Sequence, residues 1–277
     1  MTDLPHCETL TLARQGYALL VTLNRPQARN AMSLQMVAEL ATVFTQINAD
    51  DSIRAVVLRG SEGHFCAGGD IKDMAGARSQ PAGDGEQDPF YRLNRAFGHM
   101  IQQVNESAKV VIAVLEGAVM GGGFGLACVS DVAIAGPSVR FGLPETSLGV
   151  IPAQIAPFVV ERIGLTQTRR LALLGLRIDG EEAVRLGLVH QLCANETALN
   201  AAITEALNRV RHCAPAATAN TKQLLHRVGK EPMHSLLDDA AEQFAAAVRG
   251  SEGAEGTMAF MQKRPPAWAE TGPDDQH

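Results

Sequence analysis

Two glycine-rich turns constrain this chain more than any other feature of its sequence. Four glycines lie in residues 60–69 (GSEGHFCAGG) and five in residues 117–125 (GAVMGGGFG). Nine of the 26 glycines thus occupy 19 of the 277 positions, where an even spread would place about two. Glycine is costly inside regular structure, so such clusters mark backbone that must turn sharply or be approached closely. Each follows a short apolar run, residues 55–58 (AVVL) and 110–115 (VVIAVL), and precedes a helical segment. Runs of that kind read as strands buried on both faces. At a strand–turn–helix junction, backbone N–H groups can converge on one external atom. Either cluster alone is equally well a tight turn without a ligand; two of one design point to an anion or oxyanion site.

The rest of the chain sets these turns in an α/β frame. The first third reads as strand, strand, helix, strand. Residues 17–23 (YALLVTL) are β-rich and stop at Asn24-Arg25-Pro26, where proline removes a ladder donor. Ser33 is placed to cap a helix whose Leu34, Val37, Leu40, Phe44 and Ile47 follow a 3.6-residue period. Residues 90–104 read as a helix and residues 132–135 as another strand, and alternating strands and helices imply an α/β domain. The polar stretch 76–89 (GARSQPAGDGEQDP) is expected to be a mobile surface loop. From about residue 154 the pattern becomes almost wholly helical. Its last helix contains Met258, Phe260 and Met261 and stops before Pro265-Pro266. We therefore expect an α/β core over residues 1–200, a helical region over 201–268 and a disordered tail over 269–277.

Composition excludes several function classes. Thirty Asp+Glu against 24 Lys+Arg give a net charge of −6, opposed to the basic clusters of a nucleic-acid binder. The densest basic spots, Arg169-Arg170 and residues 222–227, read as ordinary helix surface. Cys7, Cys66, Cys128, Cys193 and Cys213 are scattered without metal-ligand spacing, so neither a disulfide framework nor a metal site is expected. No apolar run approaches a membrane span, and the N-terminus lacks the order of a signal peptide. A cytoplasmic protein without membrane or nucleic-acid partners is the expectation.

Neither glycine cluster has the Gly-Lys-Ser/Thr ending of a phosphate loop or the spacing of a dinucleotide turn. Two N–H donors from separate turns suit a carbonyl oxygen that becomes negative during reaction. The run from His64 through Gly68-Gly69-Asp70 to Met74 resembles the first signature of the crotonase (enoyl-CoA hydratase/isomerase) family, and residues 117–123 resemble its second. Asn24-Arg25-Pro26, Asn30-Ala31-Met32, Phe141-Gly142-Leu143-Pro144-Glu145, residues 180–187 (GEEAVRLG) and residues 260–264 (FMQKR) continue the match in order.

The resemblance implies a spiral of ββα units with a helical trimerisation region, acting on acyl-CoA thioesters as a homotrimer or dimer of trimers. No further cofactor is implied, since coenzyme A is part of the substrate. It places the oxyanion hole on the N–H groups of Gly69 and Gly122. It lays the CoA along Gln27, Ala28, Arg29, Ala67, Asp70, Ile71 and Lys72, with Phe260 and Lys263 from a neighbouring subunit. Glu145 matches one of the two carboxylates common in the family, while the other position is Gly125. The segment from Gly121 to Pro157, with Ile-Pro-Ala-Gln-Ile at 151–155 where a glycine-rich run is common, resembles hydratases of branched glutaconyl-CoA esters. It most resembles isohexenylglutaconyl-CoA hydratases of acyclic terpene breakdown, with methylglutaconyl-CoA hydratases of leucine breakdown close by.

On this reading Gly125 removes a charge that a dicarboxylic substrate would repel, about 4 kcal/mol at 4 Å and an effective dielectric of 20, and opens volume for a branch. Glu145, expected among Leu143, Leu148 and Val150, activates water and returns a proton. Gln154 is expected to orient water or the substrate carboxylate, or to serve structure. His64 and Cys66 read as structural, Asp70 as a cap facing the ligand, Asp131 as orienting the next strand; Glu116 has no assigned role. A single glutamate also suits an enoyl-CoA isomerase, and a non-catalytic scaffold or RNA-binding homologue is the alternative of another class.

Overall fold

Alternation of short apolar runs with capped amphipathic segments produces a layered spiral. The computed structural model describes residues 4–78 and 87–269. An antiparallel hairpin of β1 (Leu10–Gln15) and β2 (Ala18–Leu23) leads to a 3₁₀ turn at Pro26–Ala28 and then α1 (Leu34–Asn48). Ser33 Oγ accepts from the Met36 N–H at 3.2 Å, and Met36, Val37, Leu40, Val43, Phe44 and Ile47 form the buried stripe. There follow β3 (Ala55–Gly60), α2 (Ile71–Arg78), α3 (Pro89–Asn105), β4 (Val110–Leu115), β5 (Ala118–Met120), α4 (Gly122–Val129), β6 (Val132–Ala135) and β7 (Arg140–Gly142). The chain continues through α5 (Ala156–Leu174), β8 (Arg177–Asp179), α6 (Gly180–Arg185) and β9 (Gln191–Leu192). It closes with α7 (Glu196–His212), α8 (Pro215–Arg227), α9 (Met233–Arg249) and α10 (Ser251–Gln262).

The main sheet runs β1-β2-β3-β4-β6-β9 and is parallel from β2 onward; β5, β7 and β8 form a second, small sheet. Isolated bridges Met32–Gly69 and Cys66–Val119 extend the second row. Each turn thus leaves one long strand in the first row and one short segment in the second before a helix returns, which is the ββα spiral. The second row carries both glycine turns. One face of the main sheet buries α1, α3 and α4 in the larger core. Leu199 and Ala202 of α7 cover Val57, Ile112, Val114 and Ile134 on the other. No helix among the described residues is long and apolar enough to cross a membrane.

Several expectations need correction. The polar stretch 76–89 is not one loop. Residues 76–78 finish α2, and Pro89 opens α3, whose N–H groups at Phe90 and Tyr91 donate to Asp88 Oδ1 at 2.7 and 3.2 Å. Residues 79–86 lie outside the described residues. The later half is almost wholly helical as expected, but it also holds the edge strands β8 and β9, of three and two residues, too short to show alternation. The expected boundary at residue 200 falls inside α7, whose buried positions Leu199 and Ala202 lie on both sides of it. Of the expected tail, Ala269 is buried in a last 3₁₀ turn; residues 270–277 lie outside the described residues. Lys222 is not helix surface: it is 9% exposed, and its Nζ donates to Asp131 Oδ2 at 2.7 Å.

Candidate active site

The first glycine turn is laced to its neighbours through alternate peptide groups. Met32 N–H donates to Gly68 O at 2.8 Å, and Asp70 N–H donates to Met32 O at 3.0 Å. The peptide joining Gly68 to Gly69 is trans, so the Gly69 N–H points opposite to the Gly68 carbonyl and away from Met32. Cys66 pairs with β5 of the second row: Cys66 N–H donates to Ala118 O and Met120 N–H to Cys66 O, each at 2.9 Å. That register sets the second turn beside the first. Gly121 has φ +50°, a conformation that disfavours any side chain, and it caps α4. Gly122 follows as the first helical residue, so its N–H has no intrahelical acceptor. A Cβ placed on Gly121 would lie 3.6 Å from Gly68 Cα and 2.9 Å from Glu145 Oε1. The bare backbone is what lets the two turns and the carboxylate meet. Gly69, Gly122 and Glu145 all line one cavity of about 470 Å³.

Glu145 starts a 3₁₀ turn, Glu145–Leu148, just beyond β7, and Val150 N–H donates to its carbonyl at 3.0 Å. Its Oε2 is buried with no hydrogen-bond partner among the described residues. Burial pushes its pKa above the ordinary glutamate value, opposed by a backbone hydrogen bond. The source of that apolar setting differs from expectation. Leu143 is buried, but Leu148 is 68% exposed; Val150, Ile155 and Phe97 share the cavity instead. An uncompensated carboxylate opposite two backbone N–H groups can take a proton from water while they receive charge building on a carbonyl oxygen.

Of the residues assigned to CoA, Asp70 lines the cavity, whereas Gln27, Ala28, Arg29, Ala67, Ile71 and Lys72 do not. Gln27 and Ala28 lie in the Pro26–Ala28 turn, Arg29 closes it in the left-handed region with φ 47°, and Ala67 N–H donates to Arg29 O at 3.0 Å. Asp70 lines the cavity and Ile71 and Lys72 begin α2, exposed beside it. Asp70 Oδ1 accepts from the Lys72 N–H at 2.8 Å and its Oδ2 from Arg25 Nη2 at 2.6 Å. Burial alone would raise the Asp70 carboxyl, but the hydrogen bonds from Arg25 and Lys72 hold it below its ordinary value. Phe260, 85% exposed, and Lys263, which ends α10 with φ +54°, do not line the cavity of their own chain.

Gly125 requires a correction. It is buried in α4 and does not line the cavity. A Cβ there would fall on Ile155 Cγ2 and lie 2.9 Å from Ile101 Cδ1. The missing side chain therefore opens no space; Ile155 and Ile101 fill it. Gln154 does line the cavity, with Nε2 donating to Asn94 Oδ1 at 2.8 Å and Oε1 accepting from Arg95 Nη1 at 3.2 Å. Sequence reasoning missed the cavity wall supplied by α3, namely Phe90, Tyr91, Leu93, Asn94 and Phe97. Their i, i+3, i+4, i+7 spacing was legible as a helix face but not as a lining.

The family profile described as enoyl-CoA hydratase/isomerase matches residues 14–271. The chain belongs to the enoyl-CoA hydratase/isomerase family. It is similar to the crystal structure of an enoyl-CoA hydratase/isomerase from Marinobacter aquaeolei, with 75% identity and a TM-score of 0.93 over 95% of this chain and 100% of that one. It is similar to Pseudomonas aeruginosa AtuE, with 58% identity and a TM-score of 0.91 over 95% and 100%. A curated relative, the 2,3-dehydroadipyl-CoA hydratase of Escherichia coli (strain K12), is 31% identical over 258 residues, 93% of this chain and 97% of that protein.

Within this member of the enoyl-CoA hydratase/isomerase family, the other candidates serve the frame. His64 Nδ1 accepts from the Ala118 N–H at 3.1 Å, tying the two glycine turns together. Cys66 is fully buried, and burial pushes its thiol up to about 11. Glu116 pairs with Arg59 at 2.7 Å. Asp131 Oδ2 accepts from the Val111 N–H at 2.7 Å and so aligns β4 with β6. Among the described residues no three His, Cys, Asp or Glu side chains gather as metal ligands.

Proposed function

We propose that this chain is a hydratase (lyase) adding water to the α,β double bond of a branched glutaconyl-type CoA thioester, with isohexenylglutaconyl-CoA the substrate. The observation that carries the hydratase reading is the single buried carboxylate, Glu145, sharing one cavity with the Gly69 and Gly122 turns. Glu145 takes a proton from water as the water oxygen bonds to the β-carbon. The π electrons move onto the thioester oxygen, held by the Gly69 and Gly122 N–H groups. Glu145 then returns the proton to the α-carbon as the enolate collapses. Losing one such oxyanion donor costs about 2.7–4 kcal/mol of transition-state stabilisation.

The branched acyl group is supported by the apolar cavity wall, whose volume lies in the usual range of ligand sites. The similarity to a hydratase named for a dicarboxylic acyl-CoA supports the second carboxylate. Gln27, Ala28, Arg29, Ala67, Asp70, Ile71 and Lys72 hold the CoA, with Phe260 and Lys263 of a neighbouring copy. No cofactor beyond the substrate's own CoA takes part. Exposed Leu237, Phe244, Met258 and Met261 on α9 and α10 support a homotrimer or dimer of trimers, working in the cytoplasm on a small thioester. Supplying isohexenylglutaconyl-CoA and 3-methylglutaconyl-CoA in competition, with mass detection of the added water, tests the reading. Faster hydration of the isohexenyl ester is expected. Preference for the methyl ester would reassign the substrate, double-bond migration without water addition would make the chain an isomerase, and binding without turnover would make it a scaffold.

A further inference from the structure

The polar stretch of the cavity wall is wired in one direction. Arg95 on α3 is half-buried, and its hydrogen bond among the described residues goes to Gln154 Oε1. A guanidinium only donates, so this contact fixes the Gln154 amide with its oxygen toward Arg95. Gln154 Nε2 must then donate, and it does so to Asn94 Oδ1 at 2.8 Å. Asn94 is left with its Nδ2 hydrogens free among the described residues, and both amides line the cavity. Gly98 makes the arrangement possible: a Cβ there would fall on Gln154 Oε1 and lie 2.5 Å from Arg95 Nη1.

Charge points the same way. No acid among the described residues pairs with Arg95. Of the cavity's own acids, Asp70 is paired with Arg25 and Asp73 accepts from the Leu34 N–H at 2.7 Å, while Glu145, its Oε2 without a partner among the described residues, lies beside Gly121. A half-buried cation without a counter-ion beside an apolar cavity costs free energy that an anionic ligand group would offset. The free donors on Asn94 recognise an acceptor, which a water nucleophile awaiting a base does not need to be and a carboxylate always is.

We propose that Asn94, Gln154 and Arg95 form a recognition subsite for the second, non-thioester carboxylate of the substrate. Asn94 donates to that carboxylate, and Arg95 supplies the charge and sets the amide polarity through Gln154. The subsite rests on the glutaconyl reading for the identity of its ligand.

Two unreactive thioesters test it without turnover: glutaryl-CoA, which ends in a carboxylate, and pentanoyl-CoA, of the same chain length without one. Binding is measured by calorimetry on the full chain. The wild-type protein should prefer glutaryl-CoA. Arg95→Met should weaken glutaryl-CoA by about 10- to 100-fold, the size of a charge–charge attraction across about 6–12 Å at an effective dielectric of about 20, and change pentanoyl-CoA by less than about threefold. Asn94→Leu should erode the same preference, and it reads the subsite independently if R95M does not fold. A wild-type preference that survives both variants overturns the subsite alone. Equal binding of both esters by the wild-type protein overturns the dicarboxylate reading and the subsite together.

Discussion

Putting a methyl group back at residue 125 measures how firmly Ile155 occupies the place of a lost side chain. In Gly125→Ala the new Cβ falls on Ile155 Cγ2, 3.0 Å from Ile155 Cβ and 2.9 Å from Ile101 Cδ1. All are closer than an ordinary van der Waals contact. Overpacking a filled core costs about 1–3 kcal/mol. Against this, alanine in place of glycine inside a helix such as α4 gains about 1 kcal/mol. The single variant should therefore be destabilised by about 0–2 kcal/mol. Ile155→Ala, at a side chain 4% exposed, should cost about 2–5 kcal/mol by leaving a void. In that background the residue-125 methyl meets space instead of Ile155 Cγ2, and the helix gain remains. The double-mutant cycle should show a favourable coupling of about 1–2 kcal/mol. Urea unfolding of all four proteins at one fixed concentration provides the free energies, since association adds to apparent stability. Additivity within about 0.3 kcal/mol would refute the steric account and leave the absence of a side chain at 125 unexplained.

Glu145→Gln should lower kcat by about 10²- to 10⁴-fold, the contribution of a positioned acid–base group, and an undiminished rate in a steady-state hydration assay would remove it from the mechanism. Because burial raises the folded-state pKa, ionisation of Glu145 weakens the fold as pH climbs from the ordinary glutamate value through the raised one. E145Q should accordingly be more stable than wild type at neutral pH in denaturant melts, while wild-type kcat/KM rises with pH through that same raised pKa. Lys222→Met should cost about 1.5–3 kcal/mol in urea unfolding, because it removes charged hydrogen bonds to Asp131 Oδ2 and, at 3.2 Å, to Lys109 O.

Much of the frame was legible because its determinants are local. Ser33 before an apolar stripe, Val110 to Leu115 and Val132 to Ala135 state their own conformations through periodicity and capping. The glycine turns were legible because a positive φ such as that of Gly121 is a property of one residue's backbone. The α3 wall, the β8 and β9 edges and the burial of Lys222 were not legible. A helix face does not announce what it lines, a three-residue strand has no period, and a lysine's burial depends on Asp131, distant in sequence.

By itself, the sequence determined the α/β alternation and the places of the two glycine turns and Glu145, and its resemblance implied the spiral. Tertiary structure alone decided what surrounds that chemistry. Ile155 and Ile101 occupy the space beside Gly125, and Gly98 admits Gln154 against Arg95. Both are packing relations between residues on separate elements, set by the volumes and donor patterns that meet when the spiral closes.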